Sequence, residues 1–486
     1  MNKAVIRNVA VNISVQAVTA VAGFILPPLI VAAYGSTLNG MVASIGQFMA
    51  YLSIVEAGIL SVSIAALSKP LYDDDKDKIN SVISATQDFY SKAGCVFVGM
   101  TLTLALIYPN IVEGVDKLTA GLMVLIIGTI GISEFFIVGK YRVLLIADRK
   151  YYVLGIVRII AVILNTLVTV FLIKTGSSLL LVKFVSVSVY IFVYAAILIY
   201  VKKRYDFINP KAKFEKNTLE QKWDMMYHKA AGMILDTSPI ILLTIFRPLY
   251  EVSVYSIYAM IFLAVGLLID TLLDGMQGFF GRFLAENNPT KLKRFYAKYE
   301  TIYFSTVGIG YTCALLLTIP FMRIYAKNMT DANYIQPSLA ALFVVVGVIN
   351  RTRMPASAML MAAGHFKQTK WRAVAEALIS IAASIFFIVN FGFVGVLLGT
   401  ICSLAYRAPD IIIYSSRHIV HNNPLTTLAK IIVLGVWFCA GYLILSKFVI
   451  SNIDNYLDFA KNAIISAAFL AVPAGIYLLF LPKFSK

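Results

Sequence analysis

What most constrains this chain is a series of about fourteen apolar segments, most of them near or beyond the roughly 20 residues that an α-helix needs to cross a bilayer's hydrocarbon core. They fall at residues 9–33, 38–67, 92–111, 118–146, 153–174, 179–201, 229–246, 252–283, 299–320, 334–363, 371–390, 394–414, 427–448 and 460–481. Inside lipid every backbone N–H and C=O must find a partner within the structure, which leaves helices or a closed barrel. Segments this long and continuously apolar choose helices, so the expected fold is an all-α integral membrane protein. Composition agrees: 59% of the 486 residues are hydrophobic and 14% charged, a balance foreign to a water-soluble domain.

The formal net charge of +17 would suit nucleic acid if it were spread over one surface. Instead the basic residues concentrate in alternate loops, starting with Lys3 and Arg7 ahead of the first segment. Such asymmetry sets orientation, with the basic side in the cytoplasm. An even number of crossings then puts both termini there, membrane lipids surround the chain, and no nucleic-acid partner is expected. The N-terminal segment has no small-residue cleavage pattern and reads as a retained span. Cys95, Cys313, Cys402 and Cys439 all sit in apolar segments far apart in sequence, so neither a disulfide framework nor a zinc site is implied, and no metal or other cofactor is expected.

An offset of about 216 residues carries the first six segments onto the next six. Its clearest echo is Leu144-Leu145-Ile146-Ala147-Asp148-Arg149-Lys150 against Leu360-Met361-Ala362-Ala363-Gly364-His365-Phe366. Both copies face the same way, so the expected architecture is two six-helix lobes, 1–201 and 229–420, around a central cavity and related by a pseudo-two-fold along the membrane normal. The stretch 202–228 links them, opening with Lys202, Lys203 and Arg204; after Asn217 it sets Leu219, Trp223 and Met226 at helical spacing, as in an interfacial amphipathic helix. Residues 421–486 add two further spans. The outer loops are short, which leaves no external domain for an acceptor glycan.

Four sequence stretches carry a family resemblance. They are Val55-Glu56-Ala57-Gly58-Ile59 leading to Ser68-Lys69-Pro70-Leu71; Gly139-Lys140-Tyr141-Arg142 leading to Ala147-Asp148; Tyr227-His228-Lys229-Ala230-Ala231-Gly232; and Ala362-Ala363-Gly364-His365-Phe366-Lys367-Gln368-Thr369. From the first segment to about Ile419 the chain resembles the polysaccharide transporters of the multidrug/oligosaccharidyl-lipid/polysaccharide flippase superfamily, which includes O-antigen and teichoic-acid-type exporters. The resemblance implies a V-shaped fold that works by alternating access in a bacterial cytoplasmic membrane. It also implies a polyprenyl-pyrophosphate-linked oligosaccharide as cargo, for cell-surface polysaccharide synthesis beside a polymerase and glycosyltransferases. A multidrug or cation antiporter of the same superfamily is the alternative within transport. A membrane polysaccharide polymerase or ligase is the alternative among enzymes.

A charge at the bilayer centre costs roughly 2.5–3.5 kcal/mol on insertion scales, so each one needs a partner, a wet cavity or a function. For a pyrophosphate headgroup the candidates are Arg351, Arg353, Arg158 and Arg407, because a guanidinium grips phosphate oxygens two at a time. Arg351 and Arg353 precede Pro355, which should interrupt the helix and free backbone groups. The competing reading pairs them with Glu134 or other acids, and Arg407 with Asp410 is an i, i+3 pair that reads first as a structural bridge. Coupling to H+ or Na+ would need an embedded carboxylate. Glu56, Asp236, Asp270 and Asp274 are the candidates, and Asp270 and Asp274 flank the repeat position of Glu56. Asp73, Asp75 and Asp77 alternate like a calcium loop, but Lys78 stands where glycine is needed. His365 and His228 lie at span ends without a second ligand nearby. No nucleophile elbow, phosphate loop or metal-binding helix motif is present, so an enzyme is not expected.

Overall fold

The computed structural model describes residues 3–56, 59–209, 212, 223–286, 288–449 and 453–479. Among these residues there is no strand. The helices are α1 (Lys3–Tyr34), α2 (Ser36–Leu52), α3 (Ile59–Tyr72), α4 (Lys76–Ile111), α5 (Lys117–Ser133), α6 (Gly139–Ala147), α7 (Tyr151–Lys174), α8 (Leu179–Arg204), α9 (Trp223–Phe246) and α10 (Leu249–Ala285). They continue as α11 (Pro289–Tyr325), α12 (Pro337–Thr352), α13 (Met354–Ala362), α14 (Phe366–Phe391), α15 (Gly395–Ser415), α16 (Pro424–Val449) and α17 (Tyr456–Leu479).

Among the described residues each of the fourteen expected segments falls on one helix or on two consecutive ones. Eleven helical stretches among the described residues are long and apolar enough to cross a membrane, one of them, Phe366–Val420, running two spans together; Ile59–Tyr72 and Ala230–Phe246 are shorter apolar helices. The chain is a multi-pass membrane protein. Three spans are interrupted in mid-course among the described residues. A 3-10 turn at Ser53–Glu56 separates α2 from α3, a π-helical turn at Glu134–Val138 separates α5 from α6, and Arg353 stands alone between α12 and α13, where Pro355 follows. The proposed interfacial helix after Asn217 lies mostly outside the described residues.

The chain divides into two compact units, Met1–Ser253 and Val254–Lys486. In the first, α1 packs on α7 and α4 on α5. The helix α9, which the repeat counts as the opening span of the second lobe, packs in this unit on α2, where Thr244 Oγ1 donates to Ser44 Oγ at 2.8 Å. Close by, Asn39 Nδ2 donates to Ser253 Oγ at 2.8 Å. Loops are pinned by side chains: Asn8 donates to the Arg149 carbonyl at 2.7 Å and accepts from the Tyr152 amide at 3.0 Å, while Asn80 and Ser84 hold Phe207 and Asn209 against the start of α4.

In the second unit the tightest pair is α14 with α15. Gly395 and Gly399, four residues apart, let α15 settle on the backbone of α14 at Phe387 and Ser384, the small-residue solution to helix packing in lipid. Of the two appended helices, α16 is fixed to α11 by a buried ion pair: Lys430 Nζ reaches Glu300 Oε2 at 2.8 Å, and Thr427 Oγ1 donates to Glu300 Oε1 at 2.7 Å. Beside them α11, α12 and α16 enclose an apolar pocket of about 380 Å3 that includes Phe304, Tyr311, Val344, Leu434 and Phe438.

Candidate functional site

Each unit carries its embedded charges at the interruptions just described. In the first, Glu56 ends the 3-10 turn and accepts from Tyr90 Oη of α4 at 2.9 Å and from the Arg142 guanidinium of α6. Arg142 also lies 2.6 Å from Glu134, at the head of the π-turn, so one guanidinium bridges two carboxylates. The Glu134 contact lacks hydrogen-bond alignment, and Arg142 Nε has no hydrogen-bond partner among the described residues. Arg158 on α7 acts electrostatically on Glu134 and on Tyr190 and Tyr194 of α8. It makes no ion pair among the described residues, and its side chain is exposed.

In the second unit Asp270 of α10 accepts from Tyr303 Oη of α11 at 3.0 Å and from the Arg351 guanidinium of α12. Tyr311 of α11 also acts electrostatically on Arg351. A second group follows at the α12–α13 break. Arg353 Nη1 donates to Glu376 of α14 at 2.6 Å and its Nε donates to Asn350 at 2.9 Å. Arg407 Nε of α15 lies 3.4 Å from the other oxygen of Glu376, and Asp410 takes Arg407 at 2.6 Å and Arg372 at 2.7 Å. Glu376 and Arg407 side chains are each 4% exposed, so their charges are desolvated and depend on one another.

The two units match. In each, a carboxylate, Glu56 or Asp270, accepts a tyrosine hydroxyl from the next span, Tyr90 or Tyr303, and a guanidinium from the span after that, Arg142 or Arg351. Sequence reasoning named Glu56 and Asp270 as coupling carboxylates and Arg351 as a headgroup ligand; the structure brings Asp270 and Arg351 into one ion pair and gives Glu56 an arginine of its own. It also brings Arg353 and Arg407 together on Glu376. Asp236 lies exposed on α9, and the side chain of Asp274 falls outside the described residues. Tyr90, Tyr303, Arg142 and Arg372 were not singled out as site residues. Arg142 belongs to the Gly139-Lys140-Tyr141-Arg142 stretch, the one signal that pointed its way. Among the described residues no three His, Cys, Asp or Glu side chains come together as a metal would require.

No family model matches the sequence, and no curated protein matches it. Solved structures do. The chain is similar to the lipid II flippase MurJ in an inward closed conformation, with a TM-score of 0.67 and 13% identity, covering 96% of this chain and 100% of that one. It is similar to a multidrug resistance MATE family transporter of the MOP superfamily in an inward-facing conformation, with a TM-score of 0.60 and 13% identity over 90% of this chain and 99% of that one. A third likeness, with a TM-score of 0.54 and 13% identity over 87% and 97%, is to a MOP superfamily transporter from Pyrococcus furiosus Vc1 whose binding pocket is described as reversed in polarity. The chain therefore has the two-lobed, all-helical fold of MOP superfamily transporters.

Proposed function

We propose that this protein is a flippase of the polysaccharide-transporter type, carrying a polyprenyl-pyrophosphate-linked oligosaccharide from the inner to the outer leaflet of a bacterial cytoplasmic membrane by alternating access. The observation that carries the proposal is Arg158: a guanidinium within a span, exposed, and without an ion-pair partner among the described residues. A guanidinium without a close ion pair in that position is costly unless an anion meets it, and a pyrophosphate supplies oxygens at the spacing of its fork. A cation carrier would gain from an open carboxylate instead. Here Glu56, Glu134, Asp270, Glu376 and Asp410 are all engaged by arginines. The headgroup would enter from the cytoplasmic side while the polyprenyl tail stays in lipid, with H+ or Na+ as coupling ion. Glycosyltransferases would supply the cargo and a polymerase would consume it.

The test is deletion of the gene in its host, with assay of surface polysaccharide and of the leaflet that holds lipid-linked repeat units. Loss of the polymer with complete units trapped on the inner leaflet, restored by the wild-type gene, supports the flippase. Complete units on the outer leaflet that fail to polymerise or attach would replace it with the polymerase or ligase. Unchanged polysaccharide with new sensitivity to cationic drugs would replace it with the antiporter.

A further inference from the structure

We infer that Asp270 and the pyrophosphate headgroup compete for the guanidinium of Arg351, and that a proton on Asp270 is what hands this arginine to the substrate; the inference rests on the flippase reading above. Arg351 is built into α10 as well as α12. A Cβ on Gly266 would stand 2.2 Å from Arg351 Nη2, so the guanidinium lies against bare backbone one turn before Asp270. Its side chain is 13% exposed and that of Asp270 is 32%, so a proton can reach the carboxylate. From α11 the groups that face the pair are Tyr303, on Asp270 Oδ1, and Tyr311, which acts electrostatically on Arg351; Tyr299 packs behind, its ring 5.7 Å from that of Tyr303. From α12 the facing charge is Arg351 itself, bound to Oδ2. On α10 the neighbouring acid is Asp274.

The exchange balances. Arg351 keeps its charge throughout, since a guanidinium does not deprotonate in this setting. When it leaves, the proton adds to Oδ2, the oxygen given up, while Tyr303 goes on donating to Oδ1. The neutral carboxyl no longer attracts the guanidinium, and the headgroup takes its place. The matching group in the first unit cannot release its arginine this way. Neutralising Glu56 leaves Arg142 with Glu134 at 2.6 Å, so Arg142 is held by two acids where Arg351 is held, among the described residues, by one. The repeat thus gives the chain one locked arginine and one that can be lent. By linkage, headgroup and proton then strengthen each other's binding at this site.

The experiment uses the full chain in lipid nanodiscs and measures binding of a polyprenyl pyrophosphate lipid from mildly acid to mildly alkaline pH. Asp270→Asn is the reference, because the lipid's own ionisation enters both proteins equally. Relative to it, wild-type affinity should fall with rising pH, approaching tenfold per unit on the alkaline side. Tyr303→Phe removes a donor that favours the carboxylate, so its alkaline limb should move to higher pH with the same slope. Arg351→Ala should bind weakly throughout. Wild type and Asp270→Asn following one pH curve, or Tyr303→Phe leaving the limb in place, overturns the inference while the flippase reading stands. Failure of wild type to bind the lipid at any pH overturns both. Since Tyr303→Phe leaves the ion pair intact, its result holds even if Asp270→Asn folds poorly.

Discussion

Glu376 on α14 holds two arginines at once, Arg353 from the α12–α13 break at 2.6 Å and Arg407 from α15 at 3.4 Å. Three segments of the second unit are thereby tied at one carboxylate that is 4% exposed. Removing one member of a buried pair leaves its partner charged and desolvated, at a cost of about 3–5 kcal/mol. Glu376→Ala should therefore lower stability by that order in thermal unfolding of the detergent-solubilised protein. A change below about 1 kcal/mol, the scale of a surface ion pair, would mean that the two arginines find other partners without it.

The contact of α15 with α14 predicts a second effect. A Cβ at Gly399 would stand 2.3 Å from the Ser384 amide nitrogen and 2.4 Å from its Cα, atoms that cannot swing aside. Gly399→Ala should separate the two helices and cost about 1–3 kcal/mol, as overpacking does. Among the described residues nothing lies within 4 Å of a would-be Cβ on Gly435 of α16, so Gly435→Ala is the control and should be neutral or stabilising. Equal stability of the two variants would show that the pair yields where the close approach says it cannot.

The helices of the apolar segments were legible because each buries its backbone in its own hydrogen bonds, and long apolar runs say so without reference to the rest of the chain. The break before Pro355 was legible for the same reason, since proline removes a local donor. The π-turn at Glu134–Val138 was not. No proline marks it; there Phe135 packs on Phe97, their rings 5.1 Å apart, and Glu134 meets Arg142, both tertiary contacts. The candidate site divides along the same line. Arg407 with Asp410 was readable as an i, i+3 pair, whereas Glu56 with Arg142 and Asp270 with Arg351 join residues 86 and 81 positions apart. Which acid meets which arginine at that range depends on helix rotation, and one sequence does not fix it.

Asp116 gives a pH-dependent prediction outside the spans. It caps α5, its carboxylate accepting from the Thr119 amide at 3.0 Å and the Thr119 hydroxyl at 3.2 Å, and these bonds hold its carboxyl below the ordinary aspartate value. A group whose folded-state value is depressed contributes stability above its unfolded value, and loses it as pH falls through the folded one. Amide exchange in the first turn of α5, corrected for intrinsic rates, should accelerate across the acid carboxylate range. In Asp116→Asn, which keeps a neutral capping oxygen, protection should not vary over that range. Wild-type protection that stays constant there would remove the cap from the stability of this helix end.

Arg158 separates binding from architecture. Its side chain is exposed and makes no ion pair among the described residues, so Arg158→Ala should leave thermal stability within about 0.5 kcal/mol of wild type. If it meets the headgroup, the loss of a charge-assisted contact costs about 1.5–3 kcal/mol, roughly a 10- to 150-fold drop in apparent affinity for a pyrophosphate lipid flipped in proteoliposomes. Arg158→Lys should recover only part of it, because an ammonium is a point charge and lacks the planar fork. Arg158→Glu should abolish flipping by setting a second anion against the substrate. Flipping by Arg158→Glu at the wild-type rate would remove Arg158 from the headgroup path, and with it the observation on which the flippase proposal chiefly stands.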